Sequence, residues 1–191
     1  MSHAIYQSPA FILKTKASRE ANKVIYLYTK RFGLIYAQAQ SSRKLSSKMR
    51  YHLQEYSIVD LDLVRGKNIW HITGVSERDS IFSHLGKKEY RLITLLSDVL
   101  RRLCVGEEEN LALWQEIEFF FQNLQEDDFL EDVYEIIIMV RILFHLGYWK
   151  NQNDLILRER NPYQKKIEEK ILQAKKDYIH KINESLQISQ L

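Results

Sequence analysis

Basic side chains fall in three groups early in the chain: Lys14, Lys16 and Arg19; Lys30 and Arg31; and Arg43, Lys44, Lys48 and Arg50. Ammonium and guanidinium groups gathered on one surface displace counterions from a phosphate backbone, which gives affinity that falls with salt. Interleaved with them are Tyr26, Tyr28, Phe32 and Tyr36. An exposed ring of this kind stacks on a nucleic-acid base for about 1–3 kcal/mol. The stretch Ser41 to Arg50 holds four positive charges and no negative one, and it follows two β-rich runs that meet at Gly33. The same residues also fit a solvated face over a core that holds the tyrosines, or a surface for an acidic protein or membrane. At least two of the four aromatic rings are expected to pack inward.

Other chemistries find little support. The histidines, His3, His52, His71, His84, His145 and His180, include no pair at the i, i+4 spacing of a helical metal site. His145, in Phe144-His145-Leu146-Gly147, reads as a partly buried helix-end residue favoured by the dipole. No glycine-rich phosphate loop, nucleophile elbow or CxxC pair occurs. Glu107-Glu108-Glu109 and Glu126-Asp127-Asp128 have the charge for a hard cation, but as acids flanking helix starts they need no metal. No catalytic residue, metal or cofactor is expected. The lone Cys104 lies in an apolar helical pattern, excludes a disulfide framework and reads as core in a reducing, cytosolic compartment. The first residues lack the pattern of a signal peptide, and no 18-residue apolar run is present.

The elements that must position the basic and aromatic residues are strands. Ala10 to Lys14, Val24 to Thr29, Leu34 to Gln40, Tyr56 to Val64 and Ile69 to Val75 are rich in Val, Ile, Tyr and Leu and are joined by polar or glycine-bearing turns. Val24, Tyr26 and Tyr28 share one face of the second strand and Ile25, Leu27 and Thr29 the other, so both faces are largely apolar. A small closed sheet fits that pattern. The expectation is an antiparallel barrel of OB type, with an SH3-like barrel as rival. Its basic segments are expected to meet at one rim.

After Ser76 the apolar period changes from two to between three and four. Helices are predicted around Leu92 to Leu103 with Gly106 as stop, Leu111 to Leu124, Phe129 to Phe144 with Asp127 and Asp128 as caps, and from Asn161-Pro162 along Ile167, Ile171, Ala174, Tyr178, Ile182 and Leu186. The fold class is therefore α+β in two domains, a barrel over 1–77 and an all-α bundle over 78–191. Residues 1–75 carry 12 basic and 4 acidic side chains, whereas the rest carry 16 and 21, so a formal net charge of +3 conceals a divided molecule. Trp114, Phe119, Phe120, Phe121, Phe129, Tyr134, Tyr148 and Trp149 read mainly as bundle core, with some available to line a groove for a partner and Phe119 the one expected to face outward.

The order of parts resembles the bacterial DNA repair and recombination mediator family RecO. Ala10-Phe11-Ile12-Leu13, Ser18-Arg19-Glu20-Ala21, Leu27-Tyr28-Thr29-Lys30-Arg31-Phe32-Gly33, Ala37-Gln38-Ala39-Gln40, Ser46-Ser47-Lys48-Met49-Arg50 and Leu53-Gln54-Glu55-Tyr56 follow that family's strand, link, strand, glycine and basic-loop sequence. Val140-Arg141-Ile142-Leu143-Phe144-His145-Leu146-Gly147-Tyr148 is similar to its helix ending in a Leu-Gly-Tyr stop. The resemblance implies an OB domain, a helical C-terminal domain and non-catalytic binding of single- and double-stranded DNA, with annealing of complementary strands and help in loading recombinase. It implies RecR and the acidic C-terminal tail of single-stranded DNA-binding protein as partners, and a cytoplasmic, nucleoid setting without membrane contact. It places Arg43, Lys44, Lys48 and Arg50 on the DNA-facing loop. The chain has Gln40-Ser41-Ser42 where the family usually places a glycine, is shorter than typical members, and has no cysteine between Trp149 and Pro162, where many members hold zinc. Two other readings stay open: a bundle adaptor whose basic barrel serves assembly alone, and an RNA-binding OB protein.

Overall fold

The computed structural model describes residues 4–18, 22–40, 49–78, 86–124 and 129–188. Among them are five strands, β1 (Ile5–Ser18), β2 (Asn22–Thr29), β3 (Gly33–Ala39), β4 (Ile58–Arg65) and β5 (Trp70–Glu77). Seven helices accompany them: α1 (Met49–His52), α2 (Lys87–Leu103), α3 (Leu111–Asn123), α4 (Glu131–His145), α5 (Leu155–Arg158), α6 (Lys165–Gln173) and α7 (Lys175–Ile188). None is long and apolar enough to cross a membrane. The chain divides into two compact units, Met1–Leu85 with Ser97–Leu111, and Gly86–Leu96 with Ala112–Leu191.

The first unit is a closed barrel in the order β1-β2-β3-β5-β4, shut by the antiparallel pairing of β1 with β4. Its β3·β5 contact is parallel, through Ala37↔Trp70 and Gln38↔His71. That crossover separates it from a simple meander and gives the OB arrangement. The antiparallel barrel expected from the sequence is thus present in every pairing but this parallel one. Ile12, Ile25, Leu27, Ile35, Ala37, Leu61, Leu63, Trp70 and Ile72 fill the interior, and Leu53, which follows α1, is buried with them. Against that core Tyr6 stands edge-on to Phe32 and Trp70, each at 5.7 Å, and Phe32 lies tilted at 36° to Trp70 at 4.8 Å.

The remainder of this unit, Ser97–Leu111, packs on the barrel's exterior. The hydroxyl of Ser97 donates to the carbonyl of Leu13 at 2.8 Å, and Glu107 accepts the indole N–H of Trp70 at 3.1 Å while pairing with Arg65 at 3.1 Å. Gly33 has φ +59°, and a Cβ there would collide with the carbonyl oxygen of Glu108. Left-handed backbone and close approach together require glycine at this turn. Cys104 is buried and free, and burial pushes its thiol up to about 12, so it is protonated at neutral pH.

In the second unit most of the expected apolar stripes are buried: Trp114, Ile117, Phe120 and Phe121 on α3, with Leu113 buried where Leu111 was expected and Leu111 exposed; Val133, Ile136, Ile137, Val140 and Leu143 on α4; Ile167, Ile171, Tyr178 and Ile182 along α6 and α7. Helix α4 stops at Gly147, whose φ is +81°. The amide of Tyr148 bonds the Leu143 carbonyl at 2.8 Å and that of Gly147 the Phe144 carbonyl at 3.0 Å, a Schellman closure. Three details differ from expectation. Asp127 and Asp128 lie outside the described residues, and the N-cap of α4 is Leu130, with no side-chain hydrogen bond. Asn161 accepts from the Tyr163 amide at 3.0 Å, closing a turn before Pro162 leads on, and α6 starts only at Lys165. The last helix is two helices, meeting at Ala174.

Candidate nucleic-acid interface

The placement of the basic residues rests on an irregularity in β1. Ile12 pairs with Leu27 and Lys14 with Tyr26, so two steps on β1 match one on β2 and Leu13 is the extra residue of a bulge. Side chains alternate across a strand, and an added residue reverses the alternation beyond it. Ala10 and Ile12 therefore point into the core, whereas Lys14 and Lys16 point outward beside Tyr26 and Val24. Without the bulge both lysines would share the inward face of Ile12.

Register then lines up a row across the outer wall. Lys14 opposes Tyr26, and Tyr26 opposes Tyr36; one step along, Lys16 opposes Val24 and Val24 opposes Gln38. The two tyrosine rings stand edge to face at 4.8 Å, and the ammonium of Lys16 lies over Tyr26 at 5.1 Å from the ring centre. Tyr36 is 49% exposed. A cation held against one ring with a second ring open to solvent combines phosphate neutralisation with a stacking platform. Strands lie about 4.8 Å apart, so the row from β1 to β3 crosses roughly 10 Å of wall.

The other expected residues lie elsewhere. Tyr28 is 2% exposed, and burial raises its hydroxyl above the ordinary tyrosine value, with a further contribution from Cys104 beside it. It is a packing residue and offers no face to a base. Phe32 is half-buried among Tyr6 and Trp70 and is likewise no platform. Lys30 and Arg31 occupy the β2–β3 turn, roughly 13 Å along β2 from Tyr26 at 3.3 Å per residue. There the Lys30 amide donates to the Pro9 carbonyl at 3.0 Å, and the Arg31 guanidinium to the Gln7 carbonyl at 3.0 Å while lying over Phe32. Arg50 is exposed on α1, beside Tyr51, which is 68% exposed. Arg19, Arg43, Lys44 and Lys48 lie outside the described residues. Of the described cations, Lys30 and Arg31 do not share a rim with Lys14 and Lys16, because the length of β2 separates the β2–β3 turn from the β1 row. The outer side of β4, with Asp60 and Asp62, is acidic.

In the helical unit the aromatic residues are core. Trp114, Phe120, Phe121, Phe129, Tyr134 and Trp149 are buried, and Phe119 is half-buried between Tyr163, 5.7 Å away, and the guanidinium of Arg141 at 5.9 Å. The outward placement expected for Phe119 is thus overturned, since Arg141 covers it. Buried Arg141 bonds Glu116 at 2.6 Å and the carbonyls of Ile156 and Glu159 at 3.1 and 2.9 Å. His145 is 3.4 Å from the same Glu116 carboxylate, which gives this helix-end residue a partner. Burial would raise the pKa of Glu116, but hydrogen bonds from His145 and Arg141 and the charge of Arg141 outweigh it and hold the carboxyl below the usual range. Among the described residues no group of three His, Cys, Asp or Glu side chains forms a metal cage.

Strand order and outer wall define an OB-type barrel whose β1–β3 face is basic and aromatic. Residues 1–80 match the family model described as recombination protein O N terminal. Residues 1–80 are thus similar to a RecO N-terminal domain. Similar curated proteins are the DNA repair protein RecO of Clostridium novyi, 33% identical over 82 residues (43% of this chain, 32% of the relative), and that of Nocardioides sp., 28% over 107 residues (55% and 44%). A third, from Cutibacterium acnes, is 34% identical over 64 residues (34% and 26%). The chain thus covers between 26% and 44% of the length of these relatives. The family model ends at residue 80 and does not reach the Val140–Tyr148 helix.

Two residues of the wall, and exposed Tyr51 on α1, escaped the sequence reading. Gln38 follows from Tyr36 by strand alternation alone. His71 stands between the inward Trp70 and Ile72 and so faces out. Tyr51 has no such signal, because a four-residue helix leaves no periodic trace.

Proposed function

We propose that this chain is a non-catalytic DNA-binding protein of DNA repair, and that its barrel holds a single strand across the outer face of β1, β2 and β3. Lys14 and Lys16 neutralise phosphates there, while Tyr36, with Tyr26 behind it, receives a base. In a mediator of this kind, cations lower the repulsion between two phosphate backbones, and bases held on aromatic faces stay available for pairing. Annealing of complementary strands and assistance in recombinase loading follow from that action. RecR and the acidic tail of single-stranded DNA-binding protein are the partners proposed with it, in the bacterial cytoplasm at the nucleoid. Binding should show little sequence preference, because phosphates and ring faces carry little base identity.

The observation that carries this reading is the Lys14–Tyr26–Tyr36 row with Lys16 seated over Tyr26. It is tested by fluorescence anisotropy of a single-stranded oligonucleotide with Tyr36→Ala and Tyr26→Ala, each checked for folding by thermal melting. Loss of one stacking contact is worth about 1–3 kcal/mol, an affinity drop of roughly fivefold or more. Wild-type affinity in a folded Tyr26→Ala, Tyr36→Ala double variant overturns the reading. Competition with RNA of equal length separates DNA from RNA as the preferred strand.

A further inference from the structure

The outer wall continues beyond β3. Gln38 pairs in register with His71 of β5, so the row Lys16, Val24, Gln38, His71 crosses four strands with no carboxylate in it. On the neighbouring β4, Asp60 and Asp62 bring acidic side chains to the outer side. The imidazole is half-buried against the β4–β5 loop: a Cβ on Gly66 would meet its ring and the Ile69 carbonyl, and the Gly66 amide closes the turn on that carbonyl at 3.1 Å. Such a ring is held in place rather than swinging in solvent. The loop adds exposed Lys67 and Asn68.

We propose that His71 is a nucleic-acid contact residue, the far edge of a track that enters over Lys14 and Lys16, crosses the tyrosines and passes Gln38 to reach the β4–β5 loop. This deepens the DNA-binding reading and rests on it. An ordered imidazole suits that position because it offers both a stacking face and a ring N–H donor, and because its register neighbours, Gln38 and Val64, bring no competing negative charge.

The test uses the full chain and a dT oligonucleotide of about 16 nucleotides, long enough to cover one OB face. His71→Ala is expected to weaken binding roughly fivefold, the low end for one lost stacking contact. His71→Arg supplies a permanent charge at the same place, and it is expected to steepen the fall of log K with log salt by about 0.7, the value for one added single-strand phosphate contact. A merely structural role for His71 would not produce that change in slope. Wild-type affinity and slope in both variants, with Tyr36→Ala still impaired, overturn the proposal and leave the DNA-binding reading standing. If Tyr36→Ala also binds like wild type, the DNA-binding reading itself has failed and the track fails with it.

Discussion

At the bulge in β1, the orientation of two lysines and the fate of one carbonyl are decided together. An extra residue in a ladder leaves part of its backbone without a cross-strand partner, and the buried Ser97 hydroxyl serves the Leu13 carbonyl at 2.8 Å. Removing that hydroxyl leaves a buried acceptor wanting, a loss of about 1–3 kcal/mol. Ser97→Ala is therefore expected to lower the unfolding free energy by that amount, read in urea unfolding as a lower midpoint with an unchanged slope. Because the bulge sets the phase of Lys14 and Lys16, the variant should also weaken DNA binding, although Ser97 lies on no DNA-facing surface; wild-type affinity alongside lowered stability would show that the bulge holds its shape unaided. Tyr56 marks a second special position, with φ +73° just before β4, and this left-handed step explains why β4 begins at Ile58 rather than at Tyr56.

Among the helices the informative contact is between α3 and α4, where Arg141 reaches Glu116 and also ties down the carbonyls of Ile156 and Glu159. Glu116 has a folded-state pKa below its unfolded value. Its contribution is therefore present in full above the unfolded carboxylate pKa, near 4.3, and is lost as pH falls through the lower folded value. Glu116→Gln is expected to destabilise the protein at neutral pH by on the order of 3 kcal/mol, since Arg141 is left buried without its counter-charge. Its stability should then fall less steeply on acidification than that of wild type, the two curves converging at low pH. Parallel curves from pH 7 to pH 3, followed by circular dichroism in urea, would show that Glu116 contributes nothing by charge. The α3 and α4 stripes were legible in the sequence because apolar spacing and the Gly147 stop are local signals. Arg141 was not, for a lone arginine in an apolar helix looks the same whether it meets solvent or a carboxylate 25 residues away. The same limit explains Asn161-Pro162: cap and turn use one chemistry, and only the following backbone distinguishes them. Nothing in the period of α2 indicates that its second half, from Ser97, groups with the barrel, because an apolar stripe does not say what covers it.

On the scale of the whole molecule, the formal charge of +3 says little and its distribution says much. The barrel is itself two-sided, with Lys14 and Lys16 on the outer side of β1 and Asp60 and Asp62 on that of β4. The sequence revealed the excess of cations but not this division, because β2 carries Lys30 and Arg31 away from the row and the bulge at Leu13 turns Lys14 and Lys16 toward it. A strand lying on the basic wall displaces counterions in proportion to the phosphates neutralised, with log K falling by about 0.7 per contact for each unit of log salt. The double variant Lys14→Glu, Lys16→Glu should therefore flatten that slope by about 1.4 and bind at least tenfold more weakly at low salt, since two attractions become repulsions. Asp60→Lys, Asp62→Lys makes a change in net charge of the same size and opposite sign on the other wall. Local contact predicts an unchanged slope for that pair, whereas a merely global charge effect predicts a rise in affinity as large in kind as the lysine loss. Anisotropy titrations across a range of potassium chloride concentrations distinguish the two: equal and opposite shifts in affinity from the two pairs would mean that the chain attracts DNA as a diffuse cation, and the β1–β3 face would lose its claim to be the site.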